Sequence, residues 1–234
     1  MSFLMNIYRY VASLIHTTFD GTNEYIEVNY NSDLIFNYGK SNSFSCWVNF
    51  DTLGTLMGIY NNLHVSTGAW IGFIIYKSAT DDISFQVRKG PTSSNYSGIT
   101  SSNTLSASTW HHIAVTYSGG LASTMKIYID GVLETPIVSS DTLSGAYTNT
   151  GIIDIGRAYD NNYLDGKIDK PIIYNTELTA GNVTTIYNYG RKAGLIGIGN
   201  ELSQWELDAL NPTDVIGSND GTSINMDSSN IVVG

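Results

Sequence analysis

Two carboxylates facing one sugar ring are the minimum for glycoside hydrolysis, and this sequence offers few ways to place them. Its glutamates are Glu24, Glu27, Glu134, Glu177, Glu201 and Glu206. Glu24 and Glu27 stand three apart, which on a strand turns them to opposite faces. His111 and His112 are adjacent and are separated in the same way. No His-Glu-x-x-His, Gly-x-Ser-x-Gly or phosphate-binding loop occurs. Cys46 is the single cysteine, so the chain has neither an internal disulfide nor a cysteine zinc cage. These residues favour binding over catalysis, and the chain is read as a non-enzyme.

Binding of a sugar uses flat aromatic faces beside amides and carboxylates. Trp70, Tyr96, Tyr147, Tyr159 and Tyr163 are candidates for exposed aromatics, with Asn161 as a polar companion. The richest oxygen cluster, Asp160-Asn161-Asn162-Tyr163-Leu164-Asp165, raises the question of calcium, a hard cation that needs several converging oxygens. Asp160, Asn162 and Asp165 are the candidate ligands. A hydrated hairpin loop with Asx turns accounts for the same residues, so no cofactor is expected. Tyr, Asn, Ser and Gly on loops equally describe a protein-binding surface.

Alternation shows what positions these residues. In segment 43–50, Phe44, Cys46, Val48 and Phe50 share one face; Ser43, Ser45, Trp47 and Asn49 share the other. In segment 126–130 the isoleucines point inward, and Asp130-Gly131 then supplies a tight hairpin turn. Further strands are expected over residues 25–30, 53–60, 70–77, 83–88, 110–117, 151–157 and 167–174. Asp20-Gly21, Asp165-Gly166 and Asp220-Gly221 read as further turns. Residues 178–189 place Val183, Ile186 and Tyr187 at helical spacing, with Gly190 as the C-cap.

The whole composition agrees. The chain has 234 residues, 23 Gly and 16 Tyr, and only 14% charged residues. Its net charge of −10 excludes a nucleic-acid footprint and an anionic membrane surface as partners. No run of about 18 apolar residues spans a bilayer. Residues 1–19 are apolar but contain Arg9, and they read as an ordered arm or first strand rather than a secretion signal.

The ordered pieces 19–28, 43–48, 110–117 with 126–131, 153–157 with 164–169, and 173–179 together resemble the laminin-G-like and pentraxin-like domains. The resemblance covers roughly residues 19–190. It implies an all-β, concanavalin A-like jelly roll of two antiparallel sheets with one short helix near residues 178–189. The hydrolase strand signature of that superfamily, Glu-x-Asp-x-x-Glu, is absent. The resemblance carries Asp160 onto a calcium ligand of the pentraxin-like loop, but Ala158 stands where a second acidic residue is required. It makes His111 a structural strand residue.

The chain is thus divided into an N-terminal arm (1–18), a jelly roll (19–190) and a tail (191–234) that packs back on it. The tail around residues 225–232 resembles those of bacteriophage structural proteins. The expected function is a virion structural protein, such as a capsid decoration, head-fibre or tail-fibre component, assembled in the host cytoplasm. Its partners would be other virion proteins or itself, as a homo-oligomer such as a trimer, through Phe3, Tyr8 and Tyr10. The alternative is a carbohydrate-binding adhesin that recognises a host-surface glycan.

Overall fold

The computed structural model describes residues 15–66, 69–90, 94–147, 149–191 and 197–233. Strands are numbered in chain order. Sheet A runs β11 (Val132–Leu133), β10 (Met125–Ile129), β9 (Trp110–Tyr117), β3 (Asn42–Phe50), β16 (Asp165–Tyr174), β1 (Ile15–Asp20) and β19 (Ile231–Val233), with β17 (Glu201–Gln204) also paired to β16. Sheet B runs β12 (Ile137–Asp141), β8 (Tyr96–Thr104), β7 (Asp82–Gly90), β6 (Ala69–Lys77), β4 (Met57–Asn61), β13 (Ile153–Ile155), β2 (Tyr25–Val28) and β18 (Gly221–Ile224). In addition, β5 (His64–Ser66) pairs with β6, and β14 (Arg157–Ala158) forms a ribbon with β15 (Asn162–Tyr163).

The pairings are antiparallel, and the two sheets face each other as a jelly-roll sandwich. Alternation dictates the core. Phe44, Cys46 and Val48 lie opposite Val115, Ile113 and His111 across β3 and β9. Ile127 and Ile129 continue the same face opposite Val115 and Ile113. From sheet B, Tyr60 stacks on Phe44 at 4.4 Å and on Phe73 at 5.1 Å. Its hydroxyl donates to the Leu34 carbonyl at 3.1 Å, which satisfies the one polar atom of a buried ring.

The hairpin at Asp130-Gly131 has the expected form, with φ of 52° and 79°. Asp165-Gly166 does not turn. Gly166 lies inside β16, where a Cβ would collide with the Asn49 carbonyl oxygen of β3. The strand expected from residue 53 begins only at Met57, and residues 53–55 are exposed. Residues 15–18, assigned from sequence to the arm, belong to β1 and pair with β16 and β19. The arm contacts Phe3, Tyr8 and Tyr10 lie outside the described residues.

Among the described residues one α-helix, α1 (Ala180–Tyr189), is present, and it lies on the outer face of sheet A. Thr179 caps it by accepting the Asn182 N–H at 3.1 Å. Leu178, Val183 and Ile186 pack on Ala114, Tyr128, Ile172 and Tyr174, forming a second small core. Trp47, placed by alternation off the main core, stacks on Tyr187 of this helix at 5.6 Å. From the tail, β17, β18 and β19 join β16, β2 and β1. Trp205 is fully buried, and its indole N–H donates to the Asn219 carbonyl at 2.7 Å. Asp214 organises this loop, accepting from the Ser203 hydroxyl at 2.6 Å and from the N–H groups of Ile216, Gly217 and Asn219. Burial pushes its carboxyl up, but those hydrogen bonds win and hold it below the usual carboxylate range.

Candidate functional site

The outer face of sheet B carries the chemistry. Phe73 and Ile75 of β6 point into the core, so Trp70, Ile74 and Tyr76 point outward. The β14–β15 ribbon folds down onto this face, burying Ala158 against Leu63, Ile74 and Tyr76. Gly58 of β4 permits the approach, since a Cβ there would overlap the Arg157 main chain. The ribbon brings Tyr159 to Trp70, edge to face, with ring centroids 5.2 Å apart.

Two clefts flank the turn of this ribbon. The smaller, about 190 Å³, is lined by Asn61, Leu63, Trp70, Asp154, Arg157, Ala158, Tyr159 and Asn161. The other, about 300 Å³, includes Asp20, Thr55, Asn161, Asn162, Tyr163 and Asp165. Asn161 belongs to both, and its φ of 59° places it in the left-handed turn position that Asn tolerates.

The polar floor of the smaller cleft is one ion pair. Arg157 donates through Nε and Nη2 to the Asp154 carboxylate at 3.0 and 2.9 Å, and Asn61 Nδ2 lies 3.4 Å from the same oxygen. The guanidinium is also stacked 3.7 Å from the Tyr25 ring centre. Burial pushes Asp154 up to about 6 against the pull of Arg157, so the carboxylate is ionised at neutral pH. Glu27 sits opposite Asp154 across β2 and β13. That pair does not make an acid and a base: Arg157 occupies both Asp154 oxygens, and Glu27 accepts from the Tyr25 hydroxyl at 3.1 Å.

Sequence reasoning brought Trp70, Tyr159, Asn161 and Tyr163 to this region, and the structure gathers them around the two clefts. Tyr96 is elsewhere. It lies on β8, beyond β7, with the Arg88 guanidinium 4.1 Å from its ring centre and its hydroxyl 3.3 Å from the Ser139 carbonyl. Tyr147 is buried, its hydroxyl bonded to the Phe36 carbonyl. Asn61, Asp154 and Arg157 escaped the sequence reading. Asp154 stands between Ile153 and Ile155, where alternation says only that it points away from the core.

Of the calcium candidates, Asn162 and Asp165 both line the larger cleft. Asn162 turns its amide inward to the Tyr159 carbonyl at 2.7 Å. Asp165 opens β16 opposite Asp20, and its Cβ packs over Gly21. The side chain of Asp160 is outside what the structure describes. Among the described residues, no group of three or more His, Cys, Asp or Glu could hold a metal.

His111 joins a second arrangement. Its Nδ1 lies 2.8 Å from Asp130 Oδ2, and its Nε2 lies 3.0 Å from Ser106 Oγ. The order is that of a serine, its base and an orienting carboxylate. However, the Ser106 N–H also faces Nε2, at 3.4 Å, and Asp130 Oδ1 accepts the His112 N–H at 2.8 Å. Ser106 is exposed and lines neither cleft described above. The histidine ties the turn before β9 to the 130–131 hairpin. Its neighbour His112 is buried beneath Trp47 and Tyr187, and burial lowers it to about 4 despite Asp130, so it is neutral.

No curated protein matches the chain. Among solved structures, a putative carbohydrate binding protein from Bacteroides ovatus is 16% identical with a TM-score of 0.64, covering 94% of this chain and 60% of its own. This chain therefore spans well under two thirds of that protein. The native heptameric SAP-like pentraxin from Limulus polyphemus is 13% identical with a TM-score of 0.58, covering 95% of each chain. Domains LG4-5 of the mouse laminin α1 chain are 11% identical with a TM-score of 0.51, covering 72% of this chain and 44% of theirs. At such identities these structures establish the fold alone. The family profile matches residues 20–184, most of the sandwich, and the chain belongs to the concanavalin A-like lectin/glucanases superfamily.

Proposed function

We propose that this protein is a non-catalytic glycan-binding module whose site is the cleft between β6 and the β14–β15 ribbon. The observation that carries the reading is Trp70, partly buried beside the edge of Tyr159, over a floor of Asn61, Asp154 and Arg157. A pyranose offers one apolar face to an indole and hydroxyls to amide, carboxylate and guanidinium groups. The Bacteroides ovatus protein, described as a putative carbohydrate binding protein, supports this reading by its fold. The reading assigns no role to calcium.

The test is a glycan array followed by titration calorimetry on the best ligand. Trp70→Ala should lower affinity at least tenfold, and chelation with EDTA should leave it unchanged. An array with no ligand, or a Trp70→Ala protein that binds as well as the parent, overturns the reading.

A second reading sets this module on a virus particle, as a capsid decoration or fibre component. It is favoured by the apolar flank described next, which suits a protein built into an assembly. Immunogold labelling of purified particles tests it; particles without the label overturn it.

A further inference from the structure

Four strongly exposed apolar side chains share one flank. Val132 is 65% exposed, Leu133 50%, Ile137 62% and Val138 56%. All four belong to β11 and β12, the last strands of sheets A and B on the same side of the sandwich. Val132 lies opposite Ile129, and Val138 opposite Ile99, so both stand at the mouth where the sheets part. Leu133 and Ile137 lie on the two outer faces, opposite Tyr128 and Thr100.

Open strand edges are ordinarily protected by charge or by a cover. Here the one charged residue between the strands, Glu134, is turned inward. Its carboxylate accepts from the Ser102 hydroxyl, the Asn103 N–H and the Asn103 amide at 3.0–3.1 Å. The flank is therefore apolar and carries no outward charge between its strands; only the two-residue β11, Pro136 and a bulge in β12 interrupt it, and it is bounded by Asp130 and Asp141.

The sequence contains one segment with matching properties. Residues 1–14 include Phe3, Leu4, Met5, Ile7, Tyr8, Tyr10, Val11 and Leu14. They carry Arg9 and no acidic residue, in a chain of net charge −10. They enter the fold at β1, on the far side of sheet A. Four strands, β10, β9, β3 and β16, intervene between β1 and β11. At about 4.8 Å per strand spacing the two surfaces are about 24 Å apart. A donor segment and an acceptor edge on opposite flanks of one subunit fit a head-to-tail contact between copies.

We infer that residues 1–14 of one copy dock along the β11–β12 edge of a second copy. The contact adds strand pairing to an open edge, buries Val132, Leu133, Ile137 and Val138 under the arm's apolar side chains, and sets Arg9 among acidic neighbours. It is independent of glycan binding, because the edge and the Trp70 cleft share no residue.

The experiment uses full-length variants and light scattering after size exclusion. One variant, Val132→Lys with Ile137→Lys, spoils the edge and keeps the arm. The other, Phe3→Lys with Ile7→Lys, spoils the arm and keeps the edge. Melting curves check that each is folded. The parent protein should be oligomeric and each variant monomeric. Mixing the two variants should restore one productive contact and give a 1:1 dimer. A monomeric parent, an oligomeric edge variant, or a mixture that stays monomeric overturns the inference; the last result would mean that the arm serves its own subunit.

Discussion

The two outer faces of the sandwich are built from the same residue types and end up with opposite roles. On sheet A the face is closed. Helix α1 lays Val183 and Ile186 over Ala114, Ile172 and Tyr174, Tyr187 stacks on Trp47, and Arg191 sits 3.6 Å from the Trp110 ring centre. On sheet B a two-residue ribbon covers only part of the face, leaving Trp70 at the smaller cleft. The two outward tryptophans differ in what the chain lays over them. Trp47 has a helix above it, whereas Trp70 has the edge of a single tyrosine.

The largest expected effect removes the layer that both faces share. Val115→Asp places a carboxylate in the core between the sheets, where Val115 is fully buried. An unpaired buried charge costs several kcal/mol against a total of about 5–15. The variant should be insoluble or lack a cooperative melt; a soluble protein melting like the parent contradicts the assignment of the core.

On the closed face, Ile186→Ala should cost about 2–5 kcal/mol, the usual range for emptying a buried isoleucine site. Denaturant titration measures it. Glycan affinity should be unchanged, and a weakened affinity would erase the distinction between the faces.

Each face also holds a buried, raised carboxylate. Burial pushes Asp154 on the open face and Asp169 on the closed face up to about 6, against Arg157 and Arg191 respectively. In the unfolded chain both titrate near 4. The folded state then holds more protons between about pH 4 and 6, so stability rises as pH falls from 7 towards 5, by at most about 3 kcal/mol per group. Below about pH 4 the trend reverses as Asp214, held low by its hydrogen bonds, is protonated. Melting temperatures measured from pH 7 to 3 should peak near 4, and Asp169→Asn should flatten the rise. A steady decline from pH 7 would show that the arginines, rather than burial, decide both groups.

The smallest effect on stability belongs to the open face. Trp70→Ala should change it by about 1–2 kcal/mol, since the ring is only partly buried. A loss as large as that of Ile186→Ala would make Trp70 a structural residue.

The fold was legible in the sequence wherever one side of a strand faces the core. Segment 43–50 alternates cleanly, and its inward residues are buried as the pattern requires. Strand β8 was missed because Ser97, Gly98, Thr100 and Ser101 give no apolar period; of its nine residues only Ile99 is a buried hydrophobic. Asp165-Gly166 misled because Asp-Gly marks turns, whereas Gly166 is needed for close approach to Asn49. The site was half legible. Trp70, Tyr159, Asn161 and Tyr163 could be picked by type, and most lie in one short loop. Asn61, Asp154 and Arg157 could not, because β4 and β13 meet only through pairing across 93 residues of sequence. Trp47 and Tyr187 meet through tertiary packing that periodicity does not report.

The central claim is that ligand meets the open face alone, and hydrogen exchange tests it most directly. With a saturating glycan from the array, amide protection should increase in β6, β13, β14 and the turn at 159–163, with no change in α1. Protection that appears in α1 and β9, leaving β6 and the ribbon untouched, would contradict the account.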